Sequence, residues 1–227
     1  MKKALQIVHG LVYFLGLPTV LLLAGGDWRW WSAWIYIGLS FLATVISRVL
    51  IARAHPDLIS ERASYDEKSD TKPWDRILSP LVAMVMPLLY FIVAGLDKRF
   101  DWSIEVPVWI AVVAWVVTIA GFAFTTWAFV ENRFFSAVVR IQSDRGHTVV
   151  NTGPYRIVRH PGYAGSLLVT LMFPLILETF WAYIPISIFV FLLVIRTAKE
   201  DQTLKDELSG YREYSKRTRF RLIPGLW

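Results

Sequence analysis

Arg196 and Glu200 stand four residues apart where an apolar segment turns polar, so a helix there would bring both to one face. The plain reading of such a pair is an i,i+4 ion pair worth a few tenths of a kcal/mol. At the edge of a membrane interior, however, ionisable residues next to an irregular loop more often serve function. That loop lies upstream, from Arg140 to Tyr163, and is the longest polar interval in the second half of the chain. It holds two of the four histidines, His147 and His160, together with Gly153-Pro154-Tyr155 and His160-Pro161-Gly162-Tyr163. On its own, His160 reads as a hydrogen-bonded structural histidine. No H-E-x-x-H spacing occurs, so no catalytic metal is expected. Neither a G-x-G-x-x-G phosphate turn nor a G-x-S-x-G nucleophile is present. With no cysteine, thiolate nucleophiles and disulfides drop out.

The 24 residues from Arg140 to Tyr163 are too many for a simple connector. Two X-Pro steps and two glycines keep them from forming one helix. Backbone of this kind cannot face lipid, where each unpaired amide costs several kcal/mol. It must lie at a membrane surface or line a cavity, and its Tyr, Val and Ile content argues for an ordered ligand-site wall.

The elements that would position this wall are membrane helices. Of the 227 residues, 55% are hydrophobic and 19% charged, below the quarter or so usual in soluble domains. Eleven Trp, fourteen Phe and nine Tyr suit bilayer interfaces. The net charge of +6 fits cytoplasmic loops beside anionic headgroups, and no nucleic-acid partner is expected. Apolar runs predict spans over Ala4–Gly25 (retained rather than cleaved as a signal peptide), Trp31–Ile51, Ile77–Leu96 and Pro107–Val130. Pro87 should kink the third of these unless neighbouring groups re-satisfy the carbonyl it frees. The apolar run from Tyr163 to Ile195 is too long for one crossing, and Pro174, Glu178-Thr179 and Pro185 predict a hairpin of two helices. A polar stretch over residues 52–76 should be a solvated loop with a short surface helix. After Arg196, Leu204, Leu208 and Tyr211 suggest an amphipathic tail helix at the interface.

The expectation is therefore an all-α integral membrane protein with about six transmembrane helices, including a C-terminal helical hairpin, and a tail helix. Residues 1–130 would form a four-helix region and 131–227 a catalytic region. With six crossings, twenty cations fall on one side and three (Arg29, Lys98 and Arg99) on the other. That bias predicts cytoplasmic termini, with the polar loop on the cytoplasmic side as well.

Gly153-Pro154-Tyr155, Arg159-His160-Pro161-Gly162-Tyr163, Arg196-x-x-x-Glu200-Asp201, Gly210-Tyr-x-x-Tyr214 and Arg221-Leu-Ile-Pro224 occur in that order. Together they resemble the isoprenylcysteine carboxyl methyltransferase family and its bacterial and phospholipid-methylating relatives, over about residues 131–227. The resemblance implies S-adenosylmethionine as methyl donor. It assigns Gln142, His147, Thr148, Val149, Val150, Tyr155, His160, Pro161, Gly162, Tyr163 and Glu200 to the donor site. Arg196 matches a position on the substrate side, where a guanidinium could grip a carboxylate with two prongs. Where the family often has two Glu, this chain has Glu200-Asp201, which keeps both charges and shortens one reach. The substrate would be lipophilic or lipid-linked and reach the site from the bilayer.

Three other readings compete. A phospholipid amine methyltransferase would need a base, for which His160 or Glu200 could serve. A membrane sterol-type reductase shares a His-Pro-x-Tyr pattern but usually has Asn before the Tyr, where this chain has Gly162. A transporter or scaffold would be expected to carry charges inside its spans, and here those interiors are nearly free of them.

Overall fold

The computed structural model describes residues 15–63 and 70–227. Among these the chain is helical and contains no strand. In chain order the elements are α1 (Leu15–Gly25), α2 (Trp31–Ala54), α3 (Pro56–Ala63), α4 (Asp75–Phe100) and α5 (Val108–Glu131). After the long loop come α6 (Pro161–Leu177), α7 (Tyr183–Glu207) and α8 (Tyr211–Arg217).

Four described helices are long and apolar enough to cross a membrane: α2, α4, α5, and α7 with the 3-10 turn that precedes it. They mark a membrane protein. The expectation is six crossings. Residues 4–14 of the first lie outside the described residues, and α6, at 17 residues, is shorter than the other four. Trp34, Ile35, Phe41 and Leu42 on α2, and Val108, Trp109, Val112 and Val116 on α5, are exposed apolar side chains. A lipid solvent would cover such faces.

At Pro87 the helix departs locally from regular α geometry. The five residues Leu81–Val85 adopt a π turn just ahead of it. Pro87 has no N–H and its ring would crowd the carbonyl of Ala83 four residues back, and the wider turn relieves both problems locally. The expected hairpin is present. Leu177 ends α6, Glu178 takes a left-handed conformation (φ 58°), and the 3-10 turn Phe180–Ala182 leads into α7.

The expected amphipathic tail helix through Leu204, Leu208 and Tyr211 is split between two elements. α7 runs unbroken through Arg196 to Glu207, because no glycine or proline follows Pro185 before Gly210. Gly210 adopts φ +83°, a region that disfavours side-chain-bearing residues, and reverses the chain into the short α8. Arg196 and Glu200 therefore belong to one rigid helix.

Side chains meet closely at two helix crossings. At α5–α6, a Cβ on Gly165 would lie 2.7 Å from the Gly121 carbonyl, so glycine there permits backbone approach. Phe173 of α6 fills the centre, with Tyr36, Tyr90 and Phe91 rings 5.1–5.2 Å away. At one end of the bundle, Asp97 accepts hydrogen bonds from Ser103 and from the Trp181 amide, joining the α4–α5 loop to the hairpin tip. The opposite end gathers α3, the start of α4, the long loop, and α8. That end carries the site.

Candidate active site

The loop between α5 and α6 is held by side chains that use up its polar groups. Gln142 is buried. Its amide donates to the Phe134 carbonyl at 2.6 Å and accepts from Arg145, and its backbone N–H donates to His147 Nδ1 at 3.3 Å. Arg145 also bonds Asp57 of α3 and the Arg133 carbonyl. Arg140 is buried among Glu61, Asp70 and Asp144, each 2.8–2.9 Å away. These pairs lace the loop to α3 and its following segment.

His147 is partly buried against Phe134, with ring centroids 4.6 Å apart. Burial, reinforced by the nearby Arg140 and Arg145 cations, pulls its pKa down to about 4. The ring is therefore neutral at physiological pH, in keeping with Nδ1 as a hydrogen-bond acceptor.

Tyr155 sits in the 3-10 turn Gly153–Arg156. Its hydroxyl accepts from Asn132 at 3.0 Å and donates toward the Ala128 carbonyl at 3.4 Å, and burial drives its pKa upward. With the hydroxyl so engaged, Tyr155 meets a ligand as an aromatic surface. Gly153 has φ +52°, and a Cβ there would strike the Glu131 carboxylate.

The tail closes over this loop. Tyr214 and Thr218 both donate to the Tyr155 carbonyl, at 2.7 and 3.2 Å. Backbone amides of Arg159 and His160 donate to Phe220 and Arg221 carbonyls. Asp201, fully buried on α7, is the knot of this closure. It accepts from Arg159, Arg221, Lys205 and Tyr211 at 2.6–3.1 Å.

Between loop, α6, α7 and α8 lies a cleft of about 480 Å³, part of it open to solvent. Of the residues expected at the donor site, His147, Thr148, Val149, Val150, Tyr155, His160, Tyr163 and Glu200 line it. Gln142 stands behind the wall. Pro161 and Gly162 form the first turn of α6, where Gly162 packs against Phe135 and Phe129. Asn132, Phe135, Leu204, Leu208, Tyr211 and Tyr214 also line the cleft without having been expected there. Tyr211 and Tyr214 did fall within a matching motif, and their spacing on one helical face was the available signal.

Glu200 and Arg196 are not a direct ion pair. Tyr163 stands between them, donating to Glu200 Oε2 at 2.6 Å and accepting from Arg196. Arg196 instead grips Asp75 with Nε and one terminal nitrogen, at 2.7 and 3.1 Å, and also bonds the Ala137 carbonyl. Four of its five N–H groups are thus engaged. A two-pronged grip on a substrate would have to displace Asp75. His160 Nδ1 lies 3.9 Å from Glu200 Oε1, and its buried Nε2, 3.5 Å from Asp201, has no hydrogen-bond partner.

This arrangement fits a cationic ligand bearing hydroxyl or amino groups. Four tyrosines and a phenylalanine offer ring faces, and Glu200 offers a one-fifth-exposed carboxylate. A cleft with this lining, set at the end of apolar helices, is a candidate ligand site of a membrane protein. Residues 116–206 match the family model of the isoprenylcysteine carboxyl methyltransferase family, the family that the sequence motifs resemble. The matched segment spans α5 from Val116, the loop, α6 and nearly all of α7. No curated protein matches the chain.

Proposed function

We propose that the protein is an integral membrane methyltransferase that transfers a methyl group from S-adenosylmethionine to a carboxylate of a lipophilic substrate. The observation that carries this reading is convergence: His147–Val150, Tyr155, His160 and Tyr163 meet Glu200 on one cleft. S-adenosylmethionine supplies a methyl group activated by a sulfonium cation. Tyrosine faces and Glu200 would hold that cation and accept hydrogen bonds from its hydroxyl or amino groups. A carboxylate acceptor is ionised at neutral pH and needs no base. The residues' task is then alignment and exclusion of water. Arg196 serves the acceptor side, offering one terminal nitrogen beside Tyr163 rather than an open fork.

The proposed topology has six crossings, with the 17-residue α6 at the short end of the spanning range. Both termini and the cleft face the cytoplasm, as the twenty-to-three cation bias supports. α8 lies at the interface. Donor reaches the cleft from the cytoplasm, and the lipophilic substrate from between helices.

One observation favours an amine acceptor as second reading. Asp75 balances the Arg196 charge, so a protonated amine would meet little repulsion there. Calorimetry on detergent-purified protein tests the donor assignment: S-adenosylmethionine or its demethylated product should bind, and a folded sample that gives no heat at millimolar ligand would refute it.

A further inference from the structure

We propose that Asp75 is a positioning residue for the cleft carboxylate Glu200, acting through Arg196 and Tyr163. This inference rests on the donor-binding reading above. Asp75 lies in the first turn of α4, outside the family-matched segment, and is fully buried. Its oxygens accept from Arg196 at 2.7 and 3.1 Å, and from the Val139 amide at 2.7 Å. The Ala137 carbonyl takes a further Arg196 N–H at 3.2 Å. With that edge fixed, the remaining terminal nitrogen meets the Tyr163 hydroxyl.

The direction of this chain follows from donor chemistry. A guanidinium can only donate. The Tyr163 oxygen must therefore accept from Arg196, which turns its own proton away, and that proton goes to Glu200 Oε2 at 2.6 Å. One carboxylate oxygen of Glu200 is thereby held, and the carboxylate keeps one orientation on the cleft wall. Asp75 is the anchor: its two-point grip fixes the guanidinium plane, and so the angle at which Tyr163 is met. Asp75 and Arg196 do not line the cleft, whereas Tyr163 and Glu200 do.

The test is a double-mutant cycle read by S-adenosylmethionine affinity on the purified full chain. Asp75→Asn keeps the shape and removes the charge that grips Arg196. It should weaken donor binding roughly tenfold, the scale of coupling within one hydrogen-bond network. In a Tyr163→Phe background the same change should matter less than about twofold, because the relay is already cut. Arg196→Lys, which keeps the charge beside Asp75 but loses the corner that reaches Tyr163, should repeat both results and carries the test if Asp75→Asn does not fold. Binding by wild type that these variants leave unchanged overturns the inference alone, as does an equal loss in the Tyr163→Phe background. Absence of binding by folded wild type overturns the donor reading and the inference with it.

Discussion

Arg159 holds both oxygens of Asp201, at 2.6 and 3.1 Å, with neither side chain more than 4% exposed. This pair fastens the cleft loop to α7, and Arg159 also donates to the Thr218 and Arg219 carbonyls of the tail. Asp201→Asn should therefore leave a buried guanidinium uncompensated and cost about 3–5 kcal/mol. Thermal unfolding in detergent should show a midpoint lower by roughly 6 °C or more. The exposed Arg212–Asp206 pair is the control, and Asp206→Asn should change the midpoint little.

His147 gives a pH signature. Its folded pKa, near 4, lies below the ordinary value of 6.5. Above pH 6.5 both folded and unfolded forms are neutral there, and the full stability is present. As pH falls from 6.5 toward 4, the unfolded chain takes up a proton that the folded loop resists, so stability is lost. Between pH 7.5 and 5.5, where ordinary carboxylates stay ionised, the wild-type midpoint should fall more than that of His147→Gln. Equal slopes would place His147 in a solvated setting instead.

Arg196→Ala should destabilise the protein by about 3–5 kcal/mol, because it strands the fully buried Asp75 carboxylate with only the Val139 amide as partner. Removing both charges in Asp75→Ala/Arg196→Ala should restore much of that loss. A double variant no more stable than Arg196→Ala would show that the pair is not the source of the effect.

The helical architecture is legible in the sequence because lipid imposes a coarse code of apolar length. The polar run from Arg140 to Tyr163 announces a cavity wall because irregular backbone has nowhere else to go in a membrane protein. What cannot be read is the partner choice of individual charges. Asp75 and Arg196 are 121 residues apart, and only tertiary packing brings them together. Local spacing suggests an Arg196–Glu200 pair, yet the stronger two-point partner arrives from α4 and Tyr163 slips between them. Gln142 illustrates the same limit, since its amide is spent on Phe134 and Arg145. The π turn at Leu81–Val85 is likewise a local accommodation of Pro87 that a proline rule alone reads as a kink.

Orientation in the membrane is open to direct test, because the native chain has no cysteine. Ile104 is 77% exposed in the α4–α5 loop, and the Glu213 side chain is 64% exposed on α8. A thiol reagent that cannot cross membranes should label Ile104→Cys in intact cells and should label Glu213→Cys only after permeabilisation. Thr179 at the hairpin tip is fully buried, so a cysteine there would stay silent whatever its side. Labelling of Glu213→Cys from outside would turn the cleft away from the cytoplasm.

The most direct measurement of the central claim follows the methyl group itself. Membranes containing the protein are incubated with S-adenosylmethionine labelled in its methyl, and the lipid-soluble and protein fractions are then treated with mild base. Label released as volatile methanol marks a methyl ester, whereas an N-methyl group survives. The account predicts base-labile label that depends on the protein and falls at least tenfold in Glu200→Gln, a change of roughly 1.4 kcal/mol or more. Base-stable label would move the acceptor to an amine. No transfer to any fraction, from folded protein shown to bind the donor, would contradict the methyltransferase assignment.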